Sequence, residues 1–402
     1  MDGALPPSAP AVTPRFAASA FWRAMPSGMP RRWWLFRPLD LIARYWPITK
    51  KRRGLLAVRM DGIGDMVLFR RSLDHYAAAF NLPREEITIL GCKSWGSLSD
   101  IALAGYRVIA IDEHAFARRP LYRFRISMMV RLLAPAIAVC DSYFRRALMA
   151  DSLVLVSGAP RKVVSLPYVN EATRSEFTYY LSQMDEIVTT GLYPIHEVLR
   201  HDRFIAAVTG KPMAASPPVL AWRDSPSPHV PQEPYVVLNP GSNERGRRWP
   251  FNCYFNLAQH LIGRGYHVVF VGSGDEAPGE VERALLEDNP AIVDLYGKTS
   301  LPEVMDIMRG AAAIVSNDTG PAHLAIGLGR PTVVVVGGGH FGSFVPYPEG
   351  VAPKTARFVY QEMSCYHCFW RCWKRADRAD PFPCIEAVDE KQVRDALDEL
   401  LA

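Results

Sequence analysis

The residues best suited to chemistry stand in four glycine-bearing turns and one cysteine cluster. Ser316-Asn317-Asp318-Thr319-Gly320-Pro321-Ala322-His323 follows an apolar run that reads as a strand and opens one that reads as a helix. A Thr-Gly-Pro turn at a helix start leaves backbone N–H groups pointing outward, and with the helix dipole they make a seat for phosphate. Thr319 adds a hydroxyl donor, Pro321 suits a first turn because it has no N–H to satisfy, and His323 can donate to a phosphate oxygen. The same string also fits a plain helix cap, with Asp318 or Thr319 capping and His323 half-buried.

Asn239-Pro240-Gly241-Ser242 precedes Arg245, Arg247, Arg248 and Trp249-Pro250. Backbone and hydroxyl donors in such a turn can meet an anion, and fixed arginine charge stabilises a leaving diphosphate without a metal. The alternative is a solvated basic loop with Trp249 in the core. In Val271-Gly272-Ser273-Gly274-Asp275-Glu276 the glycines let a ligand approach the backbone, and a carboxylate after a strand can accept from ribose hydroxyls. Asp275 and Glu276 equally favour the start of the next helix. Asp61-Gly62-Ile63-Gly64-Asp65 is neither a Walker loop nor a full dinucleotide fingerprint. Asp65 can take a proton from an attacking hydroxyl or cap the following helix, and spacing alone favours the cap.

Cys365, Cys368, Cys372 and Cys384 could supply thiolates to zinc or iron, with His367 as a spare ligand, or simply hold the irregular segment before the last helix. Cys92, Cys140 and Cys253 stand among apolar neighbours and read as small core residues. An odd total of seven argues against a disulfide framework.

The elements that must position these turns follow from apolar patterning. Strand-like runs (LLAVRM from Leu55, EITILG, VIAID) alternate with helical ones, which predicts a parallel sheet covered on both faces. A Pro-rich stretch from Ser225 to Pro234 interrupts the pattern, which then restarts with YVVLNPGS. At 402 residues the chain suits two domains. The expected division is an arm over 1–53 with a disordered start, a first lobe over 54–228, a second over 229–388 carrying the cysteines, and a terminal helix over 389–402.

A formal charge of +5 gives no argument for nucleic acid. No apolar run reaches the length of a spanning helix, and the first residues lack a secretory signal, so the expected location is cytoplasmic. In the arm, Phe21, Trp22, Trp33, Trp34, Phe36 and Trp46 alternate with arginines and lysines. That composition suits peripheral contact with an anionic membrane face, or else aromatics packed on the body beside a solvated basic run.

As a set, RMDGIGD, the NPGS–RRWP segment, VFVGSGDE, LYGKTSLPEV and SNDTGPAHLAIGLGRP resemble glycosyltransferase family nine, the ADP-heptose:lipopolysaccharide heptosyltransferases, from about Leu55 to Leu401. The resemblance implies a GT-B fold, α/β with two Rossmann-like lobes facing across a cleft. It further implies inverting transfer from a nucleotide-diphosphate sugar, ADP-linked, to a lipid-linked or glycan acceptor, with no cofactor and no metal ligands. By position Asp65 matches the catalytic base, against the preference from spacing. Ser242 and Arg247 match contacts to the donor diphosphate, the family usually having Lys at the latter. Thr319, Gly320, Pro321 and His323 match the phosphate turn and Asp318 a carboxylate near the sugar. Gly272 falls in the donor site, and Glu276 and Leu301 fall in the nucleoside pocket. The loop Gly337-Gly338-Gly339-His340-Phe341-Gly342 and the basic aromatic arm depart from the family pattern. The alternatives are an inactive nucleotide-sugar or glycan binding module, and a nicotinamide-dependent oxidoreductase, which the missing fingerprint disfavours.

Overall fold

The computed structural model describes residues 18–214 and 216–402, so the Pro- and Ala-rich start lies outside the described residues. The chain forms two compact units. Of the described residues, the first comprises those up to Gly62, Ser72–Tyr193 and Glu197–Ala214; the second comprises Ile63–Arg71, Pro194–His196 and those from 216 onward.

In the first unit, strands β1 (Leu55–Arg59), β2 (Ile87–Cys92), β3 (Arg107–Ile111), β4 (Ile137–Cys140), β5 (Arg161–Ser165) and β6 (Glu186–Val188) form one sheet in the order β3-β2-β1-β4-β5-β6. All its pairings are parallel. Every residue of β1 is buried, as expected of a strand covered on both faces. The second unit repeats this arrangement with β7 (Tyr235–Asn239), β8 (His267–Phe270), β9 (Ile292–Asp294), β10 (Ala313–Asn317), β11 (Thr332–Val335) and β12 (Ala356–Val359), in the order β12-β11-β10-β7-β8-β9. In each sheet the winding reverses once, between β1 and β4 and between β7 and β10. Open parallel sheets bind ligands beyond the strand ends at such a reversal. The DGIGD turn follows β1, and the NPGS and SNDTGP turns follow β7 and β10.

The arm is not a loose extension over its described part. It folds as α1 (Ala20–Ala24) and α2 (Arg31–Tyr45). Trp33, Phe36 and Ala43 of α2 are buried, and Trp33 meets Tyr179 edge-on at 4.8 Å. Asp40 of α2 pairs with the buried Arg123 at 2.6 Å, whose guanidinium also lies over the Phe36 and Phe116 rings. Burial raises the Asp40 pKa, against the pull of Arg123. The packing reading holds for one face of α2, while Trp34, Leu35, Ile42, Tyr45 and Trp46 stay exposed. Among the described residues no helix is long and apolar enough to cross a membrane.

Further helices carry the site or cover its sheet: α3 (Ile63–Ala79) after β1, α4 (Phe251–Gly263) after β7, α5 (Leu301–Gly310), α6 (Gly320–Gly327) after β10 and α7 (Glu390–Leu401) at the end. Tyr254, Leu257 and Leu261 of α4 and Val393 and Leu397 of α7 join Val236, Val268, Val315 and Val333 in one core.

Candidate functional site

Two turns meet where the second sheet reverses. Asn317, fully buried at the end of β10, ties them together. Its Nδ2 donates to the Pro240 carbonyl at 2.7 Å, and its Oδ1 accepts from the Trp249 N–H and the Tyr254 hydroxyl at 3.1 Å each. Arg248 donates to the Ser242 carbonyl through Nε at 3.0 Å and Nη2 at 2.8 Å, which fixes the NPGS turn from its far side. The Trp249 side chain is core, as one sequence reading had it. Its neighbours on the loop are not simply solvated.

The Ser242 side chain is buried, and its hydroxyl has no hydrogen-bond partner among the described residues. A buried hydroxyl left unpaired is costly unless something else fills the role. Arg247 has a buried Nε in the same condition. Its Nη2 donates to the Asp318 carbonyl and lies 3.3 Å from that residue's Oδ2, and its guanidinium stacks over Trp370 at 4.5 Å. Asp318 is buried.

No side chain caps α6, so the cap reading of Asp318 and Thr319 does not hold. Thr319 is the N-cap residue by position, but its hydroxyl turns back to the Asn317 carbonyl at 3.3 Å. Gly320 and Pro321 open the helix. The start of α3 rests directly on this mouth. A Cβ on Gly320 would stand 2.8 Å from Ile63 Cβ, and one on Gly64 would stand 2.6 Å from His323 Cδ2. Asp65, half-buried in the first turn of α3, comes next in the chain after these two contact residues.

His323 is fully rather than half-buried, with Nδ1 2.8 Å from the Tyr347 hydroxyl. Burial lowers its pKa from 6.5 to about 4, so the ring is neutral at pH 7. Between those two values the unfolded chain holds a proton that the folded chain does not, so stability rises with pH there. As pH falls from 7 towards 4, wild type is expected to lose up to roughly 3 kcal/mol through this group. Urea midpoints of wild type and His323→Gln, compared across that range, should show the difference in slope.

Glu276 accepts from the Ser273 N–H at 2.9 Å in a capping box, which matches the helix-start reading. The carboxylate also lies against Gly241, where any Cβ would collide with it, and Gly272 backs onto the Tyr296 ring. Leu301, half-buried, begins α5 behind the Ser300–Glu303 capping box.

Two participants carried no signal in the sequence, and a third, His340, stood in the loop that departs from the family pattern. Trp370 lies between two of the clustered cysteines yet stacks on Arg247. Tyr347 holds His323. His340 packs edge-on to Phe369 at 4.9 Å, its pKa lowered to about 4 by burial. The Gly337–Gly339 run is glycine because Tyr366 and Trp370 rings occupy the space that side chains would need. His367 and Phe369 N–H groups donate to the Gly338 and Gly339 carbonyls at 2.7 and 3.0 Å. Cys365, Cys368, Cys372 and Cys384 line one pocket beneath Trp370, and Cys384 Sγ accepts from the Gly338 N–H at 3.4 Å. Among the described residues no three His, Cys, Asp or Glu side chains are placed to hold an ion together. Of the other cysteines, Cys92 and Cys140 are buried, and Cys253 is half-buried and packs against the core of the second unit.

A profile of glycosyltransferase family 9 (heptosyltransferase) matches residues 190–371. Lipooligosaccharide heptosyltransferase 2 of Haemophilus influenzae is 36% identical over 110 residues, 26% of this chain. The match spans only 32% of that relative's own length. The structure of E. coli ADP-heptose lps heptosyltransferase II is similar with a TM-score of 0.59 at 20% identity, covering 87% of this chain and 98% of that one. The bacterial iron-containing dodecameric glycosyltransferase TibC from enterotoxigenic E. coli H10407 is similar with a TM-score of 0.50 at 15% identity, covering 87% of this chain and 76% of that one. At these identities the two structures speak to the fold, which has the two Rossmann-like sheets that the alternating pattern predicts. Residues 190–371 include the Ser242, Arg247, Asp318 and Trp370 constellation and the whole mouth of α6, and that span is similar to glycosyltransferase family 9 (heptosyltransferase).

Proposed function

We propose that the chain is an inverting glycosyltransferase that moves a sugar, with heptose from ADP-heptose as the first donor to test, onto a lipopolysaccharide-core or related surface-glycan acceptor. The reading is carried by one observation: at the β7–β10 reversal an uncapped helix start, a buried unpartnered Ser242 hydroxyl and the Arg247 guanidinium share one corner. A diphosphate satisfies all three.

In this reading the second unit takes the donor. Ser242, Arg247, Thr319 and the Gly320–Pro321 turn face its phosphates, with neutral His323 behind them. Gly272, Glu276 and Leu301 face the nucleoside, and Asp318 lies towards the sugar. The first unit receives the acceptor. Asp65 takes the proton from the acceptor hydroxyl as its oxygen attacks the anomeric carbon on the face opposite the diphosphate. The bond from that carbon to the diphosphate oxygen breaks with its electron pair, and the growing negative charge falls on Arg247 and the amides of the turn. Because those groups supply fixed positive charge, the step needs neither a catalytic metal nor a cofactor. The cysteine-rich segment serves to seat Trp370 on Arg247. A lipid-linked acceptor places the work at the cytoplasmic face of a membrane.

Calorimetry of the purified chain against ADP-, GDP-, UDP- and dTDP-sugars tests the reading. ADP-heptose is expected to bind at least about tenfold more tightly than the others, a difference of about 1.4 kcal/mol. Exhaustive chelation should leave binding and turnover in place. Absence of binding to every nucleotide sugar would sink the proposal. Turnover lost on chelation and restored by a metal, in protein still folded by circular dichroism, would remove its metal-free step.

A further inference from the structure

Helix α2 has two apolar faces, and the body needs only one of them. At 3.6 residues per turn Trp34, Leu35, Ile42 and Tyr45 fall within about 100° of one another, opposite the buried Trp33, Phe36, Asp40 and Ala43. Tyr45 is 71% exposed and Leu35 57%, and Phe21 on α1 is 81% exposed. Large apolar groups clustered in this way mark an interaction surface, whereas single exposed ones do not.

The charge around them has one sign. From residue 18 to residue 53 the only acid is Asp40, and it is buried and paired with Arg123. Arg31, Arg32, Lys50, Lys51 and Arg53 are exposed on the same segment. Between α1 and α2 lies a recess of about 470 Å³ lined by Arg23, Arg37, Arg44, Tyr45, Tyr179 and Gln183, with no carboxylate in its wall. Neutral acceptors hold the three guanidinium groups in place. Arg23 donates to the Ser182 carbonyl at 3.3 Å, Arg37 to the Arg23 carbonyl at 3.2 Å and Arg44 to Gln183 Oε1 at 2.7 Å. Arg37 stacks on Trp33 and Trp34, and its buried Nε–H has no hydrogen-bond partner among the described residues.

Three converging like charges with spare donors around an open recess call for a multivalent anion, and guanidinium forks match phosphate oxygens. Exposed aromatics beside that recess match the headgroup level of a bilayer, where rings sit with one side apolar and the other wet. We propose that α1 and α2 form a docking surface for an anionic phospholipid bilayer, with Arg23, Arg37 and Arg44 taking a lipid phosphate in the recess while Trp34, Leu35, Ile42 and Tyr45 enter the interface. The proposal stands on the first unit's own surface and does not depend on the transfer reaction.

Flotation of the full chain with vesicles decides it. Vesicles of phosphatidylcholine with about a third phosphatidylglycerol are expected to capture the chain at least tenfold better than phosphatidylcholine alone, and less so as salt rises. Arg23→Gln with Arg44→Gln should lower capture at least tenfold, and Leu35→Ser with Ile42→Ser should do so without changing net charge. Circular dichroism and thermal unfolding establish that these variants are folded. Equal capture by both vesicle types, or capture that survives both variant pairs in folded protein, overturns the proposal. So does binding of inorganic phosphate without vesicle capture, which would assign the recess to a free anion. Self-association abolished by the same variants, again without vesicle capture, would assign the surface to a second copy.

Discussion

Asp65→Asn is expected to lower turnover by about 10²- to 10⁴-fold, the usual share of general base catalysis, while leaving donor affinity unchanged. The substitution separates two roles that the sequence confounds. Asparagine matches aspartate in size and serves a helix start nearly as well, so a purely capping Asp65 would tolerate it. It cannot accept a proton from a hydroxyl. Asp65 is half-buried in the first turn of α3, directly after the residues that touch Gly320 and His323. Steady-state kcat and donor calorimetry on the same preparation read the two quantities independently. Near-normal kcat in Asp65→Asn would eliminate it as the base. Asp61 provides a contrast in the same turn. It is engaged by Arg59 at 2.8 Å and by the Ser142 hydroxyl at 2.6 Å, so Asp61→Asn is expected to act on the stability of the first unit.

Arg247→Ala is expected to weaken donor binding by about 10- to 100-fold, since a hydrogen bond to a charged group contributes about 1.5–3 kcal/mol. The guanidinium is held ready by Asp318 and Trp370, so little order is lost when a phosphate arrives. Arg247→Lys should retain most of the affinity because it keeps the charge, while it loses the planar fork and the ring stack. Trp370→Leu should show an intermediate loss, because it removes the ring on which the Arg247 guanidinium stacks. Calorimetric Kd values for the donor nucleotide order the three variants. An unchanged Kd in Arg247→Ala would show that the diphosphate is held elsewhere.

Much of this was legible before any coordinates. Continuous apolar runs such as those at Tyr235–Asn239 and Thr332–Val335 read as strands buried on both faces, and their alternation with helical patterns predicts parallel sheets. The glycine turns could be located because each ends such a run. Their use could not be settled from the string. Thr319 is a good capping residue by type, yet its hydroxyl bonds backwards to Asn317 and leaves α6 uncapped. Local propensity offers both outcomes, and the direction the hydroxyl takes is fixed only in the folded turn.

The order of residues alone determined the two Rossmann-like sheets, the glycine turns at their strand ends, and a basic aromatic arm with few acids. These depend on periodicity, on backbone freedom at glycine and on charge, all of which are local. Tertiary structure alone decided that Trp370 reaches Arg247, that Tyr347 holds His323 in a dry site, and that α2 spends only one of its apolar faces on the core. Each of these joins residues far apart in the chain. No local rule carries such a pairing, because it depends on which strand ends the sheet order brings together.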